Sequence, residues 1–263
     1  MTAPLTPAPF TPAPFTPAPF TPELIRPDAR ARVIFLCDHA SNHIPPEYQG
    51  LGLDPAVLGR HVAWDIGAAE VTRRLAGAFA APAVLTTVSR LVLDVNRFFD
   101  DPASMPGRSD GIEVPGNRRA GPAEHRDRAA RIFHPYHTAV DRRITALVAA
   151  GLHPAVVSVH SCTDRMDGQH RPWHVGVLHA RNDRLATPLL RHLRASPGLV
   201  VGDNQPYSLK TMRGYTTDIH AERRSLPYVA LEIRQDLITT TEGAAIMAGL
   251  IAAALSAAIA GLD

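Results

Sequence analysis

The sequence predicts an α/β fold: a single three-layer domain with a mostly parallel or mixed central sheet and helices on both faces. Three observations carry this expectation. Short apolar runs at 33–37, 155–159 and 228–233, the last interrupted by Glu232, read as strands buried on both faces. Stretches of helical period lie between such runs, so strands and helices alternate along the chain. The 263 residues suffice for one large core, and nothing marks a second domain.

The elements follow in order. Residues 6–20 repeat TPAPF three times. Two prolines in every five residues remove ladder donors and favour extended backbone, so 1–30 is expected as a Pro-rich tail, disordered or extended, ahead of a catalytic domain at 31–263. The run 33–37 is the first central strand. In HVAWDIG (61–67) Asp65 can cap a helix from Ile66, with Val71, Leu75, Ala78 and Phe79 on its buried side. A strand is expected at 84–88, followed by a partly alternating segment that brings Arg90, Asn96 and Arg97 together. Residues 100–121 read as a long loop. Pro122 opens a helical pattern to 150, which Pro135 should kink or split. Strands at 155–159 and 174–179, a helix at 184–194, a strand at 198–201 and a polar loop at 204–220 lead to the last strand, 228–233. Residues 243–262 carry no charge before the C-terminal Asp263, and their large apolar residues repeat at helical spacing. They read as a helix packed on the sheet, with a membrane anchor as the alternative.

The formal charge of +2 gives no reason to expect nucleic acid or a membrane as partner. Two cysteines, Cys37 and Cys162, with no secretion signal point to buried free thiols and a cytoplasmic setting. No GxxxxGK[ST] or GxGxxG phosphate loop and no GxSxG nucleophile elbow occurs.

The chemistry gathers at strand ends. In open α/β sheets ligands bind outside the carboxyl ends of strands. The run 33–37 ends in Asp38-His39, the run 155–159 in His160, and Glu232 sits in the last strand. Two imidazoles and one carboxylate are a common ligand set for a hydrolytic Zn²⁺ or another divalent metal. Asp65 is the better chemical choice for the third ligand; Asn42 and His43 are the alternatives. Glu232, buried among apolar neighbours, suits a general base whose pKa is raised by desolvation. Among the other histidines, His137 and His220 also stand as site candidates. Arg90, Arg97, Arg213 and Arg234 suggest a small anionic substrate, and Asn96 can orient one of them.

The motifs CDHASNHIP (37–45), HVAWDIG (61–67), SRLVLDVNR (89–97), FHPYH (133–137), SVHSCTD (158–164) and LEIRQDLI (231–238) together resemble the N-formylglutamate amidohydrolase family, in particular its predicted-amidohydrolase branch. The resemblance implies a phosphorylase/hydrolase-like fold, similar to zinc carboxypeptidases and aspartoacylase. It also implies metal-dependent cleavage of an N-acyl acidic amino acid, with formate and glutamate as the family's named products. His39 and His160 match the strand-end histidines of that pattern, and Glu232 the late catalytic glutamate. The carboxypeptidase-like pattern His-x-x-Glu is here His39-Ala-Ser-Asn42, so the carboxylate ligand must come from elsewhere, and Asp65 is the choice. The same atoms would serve a zinc carboxypeptidase or a cell-wall-peptide amidase. A non-catalytic module that holds an acidic metabolite is the alternative from a different class.

Overall fold

A seven-stranded mixed sheet runs through the computed structural model, which describes residues 19–166 and 168–262. In chain order the strands are β1 (Glu23–Ile25), β2 (Val33–Cys37), β3 (Ala83–Leu85), β4 (Arg108–Ser109), β5 (Ile112–Glu113), β6 (Ala155–Cys162), β7 (Arg165–Met166), β8 (Gln169–His170), β9 (Val175–Leu178), β10 (Val201–Asp203) and β11 (Tyr228–Arg234). The helices are α1 (Ala68–Ala78), α2 (Pro115–Arg119), α3 (Pro122–Arg128), α4 (His134–Ala149), α5 (Ala186–Arg194), α6 (Tyr215–His220) and α7 (Thr241–Ala260). The sheet order is β1-β3-β2-β6-β11-β9-β10, and β4–β5 and β7–β8 are small separate hairpins. Strands β3, β2, β6 and β11 are mutually parallel; β1 and the β9–β10 pair run the other way.

The apolar run of β2 is buried at every position because both faces are covered. Val33, Phe35 and Cys37 face a core shared with α1, α5 and α7, while Ile34 and Leu36 face a second core built with α4. This is the period-2 pleat of a strand between two helical layers, and each buried leucine or isoleucine is worth about 1.5–3 kcal/mol over exposure. The expected α/β class is what the chain adopts. Helix α7 is long and apolar enough to cross a membrane. Here Ala244, Met247, Ile251, Leu255 and Ala258 lie in the α1–α5 core, as a helix packed on the sheet requires.

Several boundaries differ from the sequence expectation. The folded body reaches back beyond residue 31: β1 pairs antiparallel with β3, and Phe20 N donates to Arg131 O at 2.8 Å. Pro135 has no N–H to give the carbonyl four residues earlier, that of Arg131, and Phe20 supplies one. The Phe20 ring also lies 4.7 Å under the Arg131 guanidinium. Residues 1–18, with the first two repeats, are outside the described residues. The helical pattern from 122 to 150 divides into α3, a π-helical turn at Ala129–Phe133 and α4, which accommodates Pro135 without ending the helix. The strand expected at 84–88 is the shorter β3, and the long loop at 100–121 contains the β4–β5 hairpin and α2. Helix α1 begins at Ala68 rather than Ile66. Gly67 precedes it at φ 80°, and a Cβ there would meet Ile238 O at 2.3 Å, so glycine fits that turn best.

Candidate active site

Parallel pairing of β6 with β11 sets His160 directly beside Glu232, and β11 pairs antiparallel with β9 so that Gly176 faces Glu232 from the other side. His39 follows the carboxyl end of β2, one strand away. Asp65 comes from the turn before α1. Its backbone N–H donates to His39 O at 2.9 Å and its carbonyl accepts from Ala68 N, which turns its side chain inward. One nitrogen of each imidazole and one Asp65 oxygen thus lie within 4.8 Å of one another, all three residues buried.

Each imidazole uses both ring nitrogens. His39 Nδ1 is 3.2 Å and His160 Nδ1 2.8 Å from the same oxygen, Asp65 Oδ2. On the far side His39 Nε2 donates to Asp94 Oδ1 at 2.8 Å. His160 Nε2 faces Ser158 Oγ at 3.0 Å and Asp38 Oδ2 at 3.3 Å. Asp38 is itself held by Tyr136 OH at 2.7 Å and Thr216 Oγ1 at 2.9 Å. Arg90 bridges the carboxylates, 2.7 Å from Asp94 and 3.5 Å from Asp65.

The charges are arranged accordingly. Burial opposes ionisation of Asp65, but His39 and His160 outweigh it and hold the carboxyl far below its ordinary range. Against the same burial, Arg90 and His39 do this for Asp94, and His160 lowers Asp38 to about 2. Three buried carboxylates are therefore ionised. Burial disfavours the charged imidazoles, yet Asp94 and Asp65 raise His39 and the bonds to Asp38 and Asp65 raise His160. Burial also pushes Glu232 up to about 7, with His160 opposing. The Glu232 carboxylate makes no hydrogen bond and no ion pair among the described residues, although it shares the recess with Arg90.

This recess fits a divalent cation. Two Nδ1 atoms and a carboxylate oxygen converge, and both Nε2 positions are oriented by further carboxylates, as second-layer support of metal-ligating histidines requires. With both imidazoles neutral, Asp38, Asp65 and Asp94 outnumber Arg90, and a divalent cation would balance the charge. Ligation would need both Nδ1 atoms free of protons. Of the alternative third ligands, Asn42 donates to Leu58 O at 2.8 Å and His43 is outside the cluster.

A cavity of about 190 Å³ opens on His39, Asp65, His160 and Glu232. Arg90, Asn96 and Arg97 also line it. Asn96 Oδ1 accepts from Thr216 N at 3.1 Å, so this residue anchors the start of α6 rather than orienting an arginine. Arg90 is bound to the two aspartates and is a positioning group, whereas the Arg97 guanidinium carries no hydrogen bond or ion pair among the described residues. Arg213 and Arg234, expected at the substrate, are placed elsewhere. Asp218 takes Arg213 at 3.1 Å while its guanidinium stacks on Phe98, and Asp236 takes Arg234 at 2.8 Å. Nearby carboxylates in sequence captured both. His137 and His220 are not in the His39–Asp65–His160 cluster: they form a buried pair between α4 and α6, Nδ1 to Nε2 at 2.9 Å.

Sequence reasoning missed Asp38 and Asp94 as supports and His61 as a cavity residue. Asp38 had a usable signal, a carboxylate directly after a fully apolar strand. Asp94 had a weaker one, a lone acid in an apolar stretch four residues after Arg90.

Parallel strands that bring two histidines and a glutamate to one rim, with a buried aspartate from the turn before α1, define a hydrolase-like α/β protein with a candidate metal centre. The chain belongs to the N-formylglutamate amidohydrolase family, whose model matches residues 31–239. The crystal structure of a gene product from Agrobacterium tumefaciens is similar, with TM-score 0.88 and 35% identity, over 91% of this chain and 95% of that one. N-formylglutamate amidohydrolase from Ralstonia eutropha JMP134 shares the fold, with TM-score 0.59 and 20% identity over 90% of this chain and 96% of its own. No curated protein matches in sequence. Family membership supports an amidohydrolase role.

Proposed function

We propose that this chain is a metal-dependent amidohydrolase that cleaves the amide bond of a small N-acyl amino acid, with N-formyl-L-glutamate as the reference substrate. One observation carries the reading: His39 Nδ1, His160 Nδ1 and Asp65 Oδ2 converge beside Glu232, which has no hydrogen bond or ion pair among the described residues. Two nitrogens and an oxygen suit Zn²⁺. An ion held by His39, His160 and Asp65 would supply Lewis acidity toward the attacking water and the acyl oxygen.

The chain's own groups do the rest. Glu232 takes a proton from the attacking water as its oxygen bonds to the acyl carbon. The carbon–nitrogen bond then breaks, and Glu232 returns the proton to the leaving nitrogen, giving a carboxylic acid and a free amine. A carboxyl raised to about 7 by burial is matched to both transfers. Arg97 is the group for the substrate's α-carboxylate, since it lines the cavity without a hydrogen bond or ion pair among the described residues. Asp94 and Asp38 hold the two imidazoles in orientation from behind.

Glu232→Gln tests the reading. The variant keeps the carboxyl's shape without its basicity. It should bind Zn²⁺ like the wild type while kcat falls about 10²–10⁴-fold. A Gln variant with wild-type turnover would remove Glu232 from the mechanism.

A further inference from the structure

Resting on that reading, we infer that the cavity is built for an N-acyl amino acid with a single carboxylate and an apolar side chain, in preference to the two carboxylates of N-formylglutamate. The first ground is how the positive charge is distributed. N-formylglutamate brings two carboxylates, each in need of a cation or several donors once out of water. Arg97 is the lining guanidinium left free for one. Arg90 is held by Asp94 and Asp65, and His61 pairs with Asp110 at 3.2 Å. Arg171 lies close by, but only 8% of it is exposed. Its guanidinium stacks 4.9 Å from the Tyr207 ring, bonded to Tyr207 OH at 3.0 Å and Thr163 Oγ1 at 3.3 Å. A substrate would have to break those bonds to reach it. Lys210, Arg181 and Arg213 line a neighbouring groove rather than this cavity, and Leu209 and Met212 line both spaces.

The second ground is the opposite wall. Ala230 pairs with Leu178 one pleat period before Glu232, and both line the cavity, whereas Cys162 pairs with Arg234 one period beyond Glu232. Gly176, opposite Glu232, allows the closest approach of the 204–214 loop: a Cβ there would sit 1.8 Å from Gln205 O. That loop brings Leu209 and Met212 to the cavity. Thr163, Tyr207 and Ser208 add uncharged hydroxyls to the lining, the first two bonded to the buried Arg171. A γ-carboxylate pointing away from Arg97 would face this wall and the ionised Asp65, whereas a branched aliphatic or thioether side chain would fill it.

The test compares N-formyl-L-leucine with N-formyl-L-glutamate on the zinc-loaded protein. Calorimetric binding is measured on Glu232→Gln, where turnover is blocked, and kcat/KM on the wild type. Both measures should favour the leucine substrate by about 10-fold or more. Met212→Arg, at a 40% exposed position that tolerates the change, adds a cation to the wall and should shift the ratio toward glutamate by about 10-fold. Equal or tighter binding of N-formylglutamate by the unaltered wall overturns the inference and leaves the amidohydrolase reading standing. Preferential binding of N-formylleucine without hydrolysis by the wild type upholds the pocket and sinks the reaction instead. Binding of neither overturns both.

Discussion

His39 and His160 each place one ring nitrogen toward Asp65 and the other against a carboxylate or hydroxyl, so the ring cannot turn without breaking a buried bond. The rear carboxylate also makes the front nitrogen a better ligand. Asp94→Asn keeps the shape and the accepting oxygen but removes the charge. It should weaken Zn²⁺ binding about 10–100-fold in a chelator competition while the protein stays folded. Unchanged affinity would mean that Asp94 serves Arg90 and the 94–96 turn only. The same residues show what the sequence could reveal. His39, His160 and Glu232 were legible because an apolar strand that turns polar at its end is a local signal. Asp65 was legible as a carboxylate in a loop-to-helix turn. Asp94 was not, because its role depends on a contact spanning 55 residues. Arg213, in a site-side loop, and Arg234, at a strand end, misled because neither position says anything about a carboxylate five or two residues later.

At the scale of elements, Pro135 was legible as an irregularity, but its form was not. The chain absorbs it in the π turn at Ala129–Phe133 and continues into α4, which carries Tyr136 to Asp38 and His137 to His220 of α6. His137 Nε2 donates to Val95 O at 2.8 Å, so its Nδ1 accepts from His220 Nε2. His220 Nδ1 is then a buried acceptor with no partner. Burial lowers His137 to about 4, and burial with His137 and Arg224 lowers His220 to about 2; Asp38 opposes both. Both rings are therefore neutral in the fold across the range where an unfolded histidine, of pKa about 6.5, takes up its proton. Stability from this pair is full above pH 6.5 and falls as pH drops, because the unfolded state binds protons that the fold cannot. Each unit of pH below 6.5 costs up to about 1.4 kcal/mol per histidine until the folded value is reached. Urea midpoints at pH 7 and pH 5 should differ markedly in the wild type and less in His220→Leu. An equal drop in both would place the acid sensitivity elsewhere.

For the whole molecule, the candidate centre ties together distant stretches of chain. His39 follows β2, Asp65 precedes α1 and His160 lies in β6, so the three converge only when the central sheet is formed. The sequence made that convergence foreseeable through the order of strands and helices, since parallel neighbours share one carboxyl-end rim. It could not show the outer parts: β1 takes its place from β3, and Phe20 docks on a carbonyl that a proline leaves open. A ligand set assembled by folding binds its ion in the native state far better than in the unfolded one, so the ion must stabilise the entire domain. At free Zn²⁺ about 100-fold above Kd the gain is about 2.7 kcal/mol. For a domain of roughly this size that raises Tm by about 5–10 °C. Differential scanning calorimetry with Zn²⁺ and with EDTA should show the shift in the wild type and lose it in His39→Ala with His160→Ala. Elemental analysis should find about one ion per chain under the same conditions. A wild type that takes up no ion and melts identically in both buffers would leave the two imidazoles as partners of the surrounding aspartates only. The recess would then be a charged binding pocket rather than a hydrolytic centre.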